Sequence, residues 1–141
     1  MSNEVQVAQQ EVIEEFAFFD DWMDRYQYLI DLGRRLPDMP DSDKVDENKI
    51  RGCQSQVWLV ANMQDGRLQF RATSDAAIVS GLIALLLRIY SDRKPQDIVD
   101  TPPEFVQALG LESHLSATRS NGLASMLKVI RSMATEASQA G

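Results

Sequence analysis

The sequence predicts an α+β fold in which a small antiparallel sheet of about three strands packs against helices. Two observations support this prediction: residues 57–72 alternate between apolar and polar side chains around an Asp-Gly pair, and the flanking segments carry apolar residues at helical spacing. A chain of 141 residues fits one domain with one core, so we expect a single domain over residues 1–141. Residues 1–10 and 138–141 are expected to be frayed.

The composition excludes several classes of function. An apolar fraction of 44% is that of a globular protein, whereas a net charge of −7 disfavours non-specific binding to nucleic acid or to an anionic membrane. The longest apolar stretch, residues 76–89, is shorter than the ~20 residues that a bilayer requires. The acidic amino terminus lacks the pattern of a secretory signal, and one cysteine cannot form an internal disulfide. We therefore expect a reducing, cytoplasmic compartment.

The amino-terminal third of the chain is predicted to form one or two amphipathic helices over residues 11–36. Pro37 and Pro40 end this helical pattern. An acidic, polar connector follows over residues 38–48, and nothing in that connector indicates chemistry.

Residues 57–72 are predicted to form a β-hairpin. The Asp-Gly pair favours a two-residue turn, because both central residues of such a turn need positive φ. When Gln64 is paired with Arg67, one face of the hairpin is apolar and the other is mixed, so the turn chemistry and the side-chain pattern agree. A two-stranded ribbon is marginal alone, so we expect either a third strand from the segment before Arg51 or covering helices.

The carboxy-terminal half is predicted to be helical. Residues 74–89 form a helix that is apolar on nearly all sides, which places it at the centre of the core. Short helices are expected to begin at Pro95 and Pro102. A final amphipathic helix is expected to begin near Ser116 or Ser120.

Cys53, the single cysteine, is the candidate functional residue. It follows a glycine and precedes the first strand, in a polar loop, whereas a core thiol usually has apolar neighbours. Free cysteines are also common as small buried hydrophobes, so the residues alone leave a presented and a buried thiol equally open. To act as a nucleophile the thiol must ionise, which a nearby cation or helix amino terminus would favour.

Four stretches of the chain resemble the signatures of the SufE family of sulfur-acceptor proteins. The run RGCQSQVWL around Cys53 resembles the active-site signature of that family. The other three lie in the order of the family, and together the matches span about residues 15 to 135. The four stretches are residues 28–37, 51–59, 74–82 and 115–123. The resemblance implies a SufE/NifU-like fold.

The resemblance also implies a function in iron–sulfur cluster assembly. Cys53 would take persulfide sulfur from a pyridoxal-phosphate-dependent cysteine desulfurase of the SufS kind, stimulate that enzyme, and pass the sulfur to a SufBCD-like scaffold. The chain itself would need no cofactor and no metal. The alternative is a docking regulator that stimulates the desulfurase without carrying sulfur. The desulfurase branch, the final acceptor and the oligomeric state, a homodimer included, stay open.

Roles for the residues around Cys53 follow from the same resemblance. Arg119 is expected to stabilise the thiolate or persulfide, although its position alone favours a surface arginine or one paired with an acid such as Asp75. Asp75 resembles a position beside the cysteine loop and also suits the start of a helix. We expect Cys53 to be sheltered in the free protein and turned out on docking. The residues expected to stabilise the persulfide or contact the partner are Arg51, Gly52, Gln54, Ser55, Gln56, Asp75, His114 and Arg119.

His114 is the only histidine, so a nucleophile–base dyad with Cys53 is conceivable. Nothing near Cys53 resembles a protease motif, and the SufE resemblance implies no base at this position. A role for His114 at a helix end or in partner contact is favoured. With one cysteine and one histidine, a dedicated zinc site lacks ligands.

Overall fold

The computed structural model describes residues 3–140, which form seven α-helices and one two-stranded antiparallel sheet. The α+β prediction is confirmed. Within this range no helix is both long and apolar enough to cross a membrane. The helices are α1 (Glu4–Phe16), α2 (Trp22–Arg34), α3 (Ala77–Tyr90), α4 (Pro95–Asp100), α5 (Phe105–Ala108), α6 (Leu111–His114) and α7 (Ala117–Ala140), and the strands are β1 (Val57–Gln64) and β2 (Arg67–Ser74).

Both chain ends are more ordered than the sequence predicted. Residues 4–10 belong to α1, because the Asn3 side chain accepts hydrogen bonds from the first free N–H groups of the helix and Val5 is fully buried. Asn3 also donates to the Thr101 hydroxyl at 2.6 Å, which ties the start of α1 to the end of α4. The prediction of a frayed start is therefore wrong for residues 4–10. At the other end α7 continues to Ala140, and residues 1, 2 and 141 lie outside the described range.

The hairpin forms in the predicted register, with Gln64 opposite Arg67. Asp65 and Gly66 have φ values of 55° and 77°, as a two-residue turn of this kind requires. The predicted third strand is reduced to a single bridge between Lys49 and Trp58. The connector forms short 3₁₀ turns at Asp41–Asp43 and Asp46–Asn48. The residues just before Lys49 therefore do not continue the pairing with β1. Helices therefore cover most of the ribbon instead of a third strand.

Helix α3 is the centre of the core, as its composition predicted. It begins at Ala77, later than expected, because the residues before it continue β2 and turn sharply. Its contact with α2 is close: a Cβ on Gly81 would lie 2.2 Å from the Leu29 carbonyl oxygen, and one on Gly33 would lie 2.7 Å from the Gly81 nitrogen. These two helices therefore touch through their backbones, which only glycine permits.

Helix α7 is attached to α4 by Arg131. Its guanidinium donates to the carbonyl oxygens of Thr101 at 2.7 Å and Ile98 at 3.3 Å, at the carboxy-terminal end of α4. Leu123, Met126 and Ile130 of α7 are buried in the same core. The amino-terminal half of α7 is thereby held beside the loop that carries Cys53.

Gly81→Ala is expected to lower the free energy of unfolding by about 3 kcal/mol, because the added methyl group overlaps the α2 backbone. Urea denaturation followed by circular dichroism measures the change. Ala77→Ser, at an exposed position of the same helix, is the matched control and should alter the free energy by less than about 0.5 kcal/mol. Equal stability of Gly81→Ala and the wild type would contradict the backbone contact.

Candidate functional site

Residues 50–56, here called the cysteine loop, connect the bridged segment to β1. Gly52 has φ of +90°, in the left-handed region that favours glycine. A Cβ at Gly52 would lie 2.4 Å from the Ser125 hydroxyl oxygen of α7. The absence of a side chain at this position lets the loop lie directly against the helix.

Cys53 is half-buried between the cysteine loop and α7. Its Sγ donates a hydrogen bond to the Gly122 carbonyl oxygen at 3.6 Å, and a Cβ on Gly122 would lie 3.5 Å from the sulfur. Burial raises the pKa of the Cys53 thiol, because ionisation would put a charge where water is partly excluded. The neighbouring carbonyl oxygen accepts a hydrogen bond from the thiol, whereas it offers no donor to a thiolate. Burial and this hydrogen bond both favour the neutral thiol, and the exposure of Cys53 is intermediate between that of a presented and a fully buried residue.

An open cavity of about 450 Å³ lies in front of the sulfur. Its wall consists of Asp46 and residues 49–53. Lys49 and Arg51 contribute two cationic side chains to this wall, and Asp46 contributes one carboxylate. An anion on or near the sulfur would thus find positive charge within the same cavity.

Asp75 holds the end of the cysteine loop. Its carboxylate accepts a hydrogen bond from the Gln56 N–H at 3.1 Å, and its own N–H donates to the Gln56 carbonyl at 3.4 Å. These bonds join the entry of β1 to the end of β2. Asp75 thus lies beside the loop, where the sequence predicted it.

Three polar residues of the loop have unused hydrogen-bonding side chains. Gln54 and Gln56 are exposed and Ser55 is half-buried. Among residues 3–140 none of these three side chains has a hydrogen-bond partner; Gln56 is held through its backbone alone. Their amide and hydroxyl groups are available to a docked molecule.

Arg119 lies in the first turn of α7 and is exposed. Its backbone N–H donates to the Ser116 hydroxyl at 3.2 Å, so Ser116 serves as the cap of this helix. Within the described part of the chain neither Arg119 nor Arg51 forms a salt bridge. Gly122 lies three positions after Arg119, which places both on one side of α7. The cation therefore lies one helical turn from the residue that contacts the sulfur.

His114 makes its stacking and hydrogen-bond contacts with residues other than Cys53. The imidazole is stacked on Trp22 with ring centres 4.1 Å apart, and its Nδ1 lies 2.9 Å from the Gly110 carbonyl oxygen. Tyr26 donates to the His114 carbonyl oxygen, which also attaches α6 to α2. The polar contacts of His114 and Cys53 have no residue in common, so these contacts give no nucleophile–base dyad. Over residues 3–140 no group of three or more His, Cys, Asp or Glu is arranged to hold a metal ion.

Three residues of the site were missed by reasoning from the sequence. Lys49 directly follows the polar connector, where a lysine carries no signal of its own. Gly122 lies in the SufE-like stretch 115–123 but was given no role, and Ser125 belongs to a helix predicted from its apolar residues. Two small residues three positions apart on one helix indicate that another backbone approaches closely, and that signal was present in the sequence.

Comparison with known proteins agrees on one family. Residues 10–134 match the family model described as "SufE: Fe-S metabolism associated domain". An uncharacterized SufE-like protein of Rhizobium meliloti (strain 1021) is 45% identical over 130 residues, which cover 88% of this chain and 92% of that protein. An uncharacterized SufE-like protein of Rhizobium etli is 43% identical over 126 residues, covering 86% and 85%.

A solved structure shows the same fold. The solution structure of a hypothetical protein from Thermus thermophilus superposes with a TM-score of 0.77, covering 94% of this chain and 96% of that one. At 20% identity, this similarity concerns the fold alone.

Gly52→Ala is expected to displace the cysteine loop from α7, because the new methyl group meets the Ser125 hydroxyl and the left-handed backbone is strained. Exposure of Cys53 should then lower its pKa and raise its rate of alkylation by iodoacetamide at neutral pH about tenfold. Adding Ser125→Ala removes the overlapping oxygen and should restore part of the protection. Ser125→Ala alone is the control, and unchanged alkylation in Gly52→Ala would contradict the contact.

The pH dependence of alkylation tests the state of the thiol. Because burial raises the pKa of Cys53, the thiol stays protonated to higher pH in the folded protein than in the unfolded chain. The rate of alkylation rises with ionisation, so its midpoint should lie at higher pH in the native protein than in denaturant. A native midpoint at lower pH would show that cations, and not burial, dominate at the sulfur.

Proposed function

The chain belongs to the SufE family, and from this membership we propose that it accepts sulfur from a cysteine desulfurase on Cys53 and passes it on for iron–sulfur cluster assembly. Association with iron–sulfur metabolism is the description of the family. Transfer through Cys53 is the more specific proposal. The observation that supports it most directly is the half-buried Cys53 thiol at the end of an open cavity, on a loop with unused polar side chains.

The proposed step is a transfer between two thiols. The Cys53 thiolate attacks the terminal sulfur of the persulfide on the desulfurase cysteine. A new S–S bond forms on Cys53, the S–S bond of the donor breaks, and the electron pair leaves with the desulfurase thiolate. One thiol and one persulfide enter and one thiol and one persulfide result, so the step requires no external oxidant or reductant.

Ionisation of Cys53 has to be coupled to docking. Among residues 3–140 the hydrogen-bond partner of Sγ is the Gly122 carbonyl, which cannot remove a proton. A partner that turns the sulfur out of its contact with α7 removes the burial that raises the pKa of the thiol. The proton can then pass to the leaving desulfurase thiolate or to a base on the partner. In the free protein the same contact shelters the thiol from oxidants.

The residues around the cavity have separate proposed roles. Arg51 and Arg119 stabilise the anionic persulfide, since both are cations without a salt-bridge partner in the described part of the chain. Asp75 keeps the end of the loop in place while the rest moves. The remaining proposed contacts with the desulfurase come from Gly52, Gln54, Ser55, Gln56 and His114.

The partners are proposed as a pyridoxal-phosphate-dependent desulfurase of the SufS kind and a SufBCD-like scaffold, in the cytoplasm. A single cysteine fits this assignment, because the chain cannot release its sulfur by forming an internal disulfide. Delivery must therefore be to a second protein. Transfer of sulfur to Cys53 also accounts for the proposed stimulation, because removal of the product sulfur frees the desulfurase for another turnover.

Incubation with a SufS-type desulfurase and free cysteine should add the mass of one or more sulfur atoms to the intact protein, measured by mass spectrometry. Cys53→Ser should show no added sulfur and should lose at least ~90% of the stimulation of desulfurase turnover, because its hydroxyl is a far weaker nucleophile than a thiolate. Treatment with a reductant should remove the added mass from the wild type.

The alternative outcome of this experiment is equally specific. If Cys53→Ser stimulates the desulfurase as well as the wild type does, the protein is a docking regulator and not a carrier. Far-ultraviolet circular dichroism of the variant verifies that the fold is intact. Alkylated wild-type protein provides a second control, since it retains the residue but not the free thiol.

A further inference from the structure

Strand β1 has one open edge. Ile50 donates its N–H to the Val57 carbonyl at 2.8 Å, so the backbone groups of Val57 face away from β2. Residues two apart in a strand direct their N–H and C=O groups to the same side, so those of Ala61 and Met63 also face away from β2. Among the described residues these groups have no hydrogen-bond partner. The edge of β1 is therefore unpaired beyond Leu59.

The outer edge of β2 is covered instead. Leu68 donates its N–H to the Arg93 carbonyl at 2.8 Å, and Phe70 donates to the Ser91 hydroxyl at 2.9 Å. Natural proteins commonly protect an open edge with lysine, proline or a bulge. The sequence of β1, VWLVANMQ, contains no charge and no proline, and its pairing with β2 has no bulge. The absence of such protection indicates that this edge of β1 pairs with another segment when the protein is bound to its partner.

A groove of about 590 Å³ begins beside this edge. The side chain of Leu59 lines it on the sheet side, and Ser125, Val129 and Met133 line it on the α7 side. Residues 49–51 line both this groove and the cavity in front of Cys53. Groove and cavity therefore share one wall, which residues 49–51 form between Leu59 of β1 and the cavity at Cys53.

The groove is locally basic on an acidic protein. Three cations line it, Lys49, Arg51 and Lys128, together with two carboxylates, Glu47 and Glu136. Neither these cations nor the two carboxylates form a salt bridge within residues 3–140. The whole chain carries a net charge of −7, whereas the three cations and two carboxylates of the groove sum to +1. Such a groove attracts a segment with carboxylate side chains.

We propose that an extended, acidic segment of the cysteine desulfurase adds to the free edge of β1 at Ala61 and Met63 and lies along the groove towards Cys53. This inference rests on the proposed function. Main-chain hydrogen bonds to the edge supply affinity and fix the register, and the cations select the segment. The wall that the groove shares with the cavity at Cys53 favours the desulfurase as the occupant over a second copy of this chain, because the desulfurase must reach that sulfur.

Residue-resolved amide hydrogen exchange tests the pairing directly. Exchange is measured on the chain alone and with an excess of a purified SufS-type desulfurase. The outward amides of Ala61 and Met63 should exchange at least about tenfold more slowly in the complex. The amides of Val60 and Asn62, which face β2, serve as internal controls and should change little.

Two pairs of variants separate edge pairing from charge. Ala61→Pro removes the outward N–H and should weaken the Kd for the desulfurase about fivefold to tenfold, whereas Ala61→Val keeps the N–H and should bind like the wild type. Lys128→Glu should slow association, and Lys94→Glu, an exposed lysine outside the groove, should not. Far-ultraviolet circular dichroism should be equal in all four variants, which verifies an intact fold.

The results that would overturn the edge pairing differ from those that would overturn the proposed carrier function. A complex that loads sulfur on Cys53 without protecting Ala61 and Met63 overturns the edge pairing and leaves the carrier function standing. Protection without sulfur on Cys53 supports the edge pairing and overturns the carrier function. Absence of any complex overturns both. Protection that appears in the chain alone as its concentration rises, with a dimer in sedimentation, assigns the edge to a second copy and overturns the proposal.

Discussion

Burial of α3 is the constraint on which the rest of the structure depends. This helix is apolar on nearly all sides, so it has to be enclosed, and α1, α2, α7 and β2 all pack on it. The backbone contact at Gly81 brings α2 closer than side chains would allow. Because α3 packs on the apolar face of the hairpin, the hairpin needs no third strand. Most of the edge of β1 is therefore left open.

The candidate site depends on a second close approach, between the cysteine loop and α7. Gly52 lets the loop touch the helix, and Gly122 lets the Cys53 sulfur lie against its backbone. The same contact limits the access of solvent to the Cys53 thiol and raises its pKa. In the free protein, the contact that protects the thiol therefore also lowers its reactivity. Because Arg131 holds α7 to α4, the helix is a fixed surface along which a partner would meet the sulfur, the cations and the open edge together.

The sequence by itself determined the elements whose signals are local. The Asp65-Gly66 turn and the alternation around it specify the hairpin register, the apolar composition of α3 specifies its burial, and the run around Cys53 marks the candidate functional loop. Arg119 and Asp75 were placed near that loop by resemblance, and Asp75 proved to bond to its end.

Only the tertiary structure decided what depends on contacts between distant segments. The helical state of residues 4–10 comes from burial of Val5 and from the bonds of Asn3, which no local pattern reveals. The thiol is half-buried because residues 69 positions apart meet, and His114 at the end of α6 stacks on Trp22 of α2 instead of pairing with the thiol. Sequence patterns report the preferences of neighbours along the chain, whereas exposure and pKa are set by whatever the fold brings together.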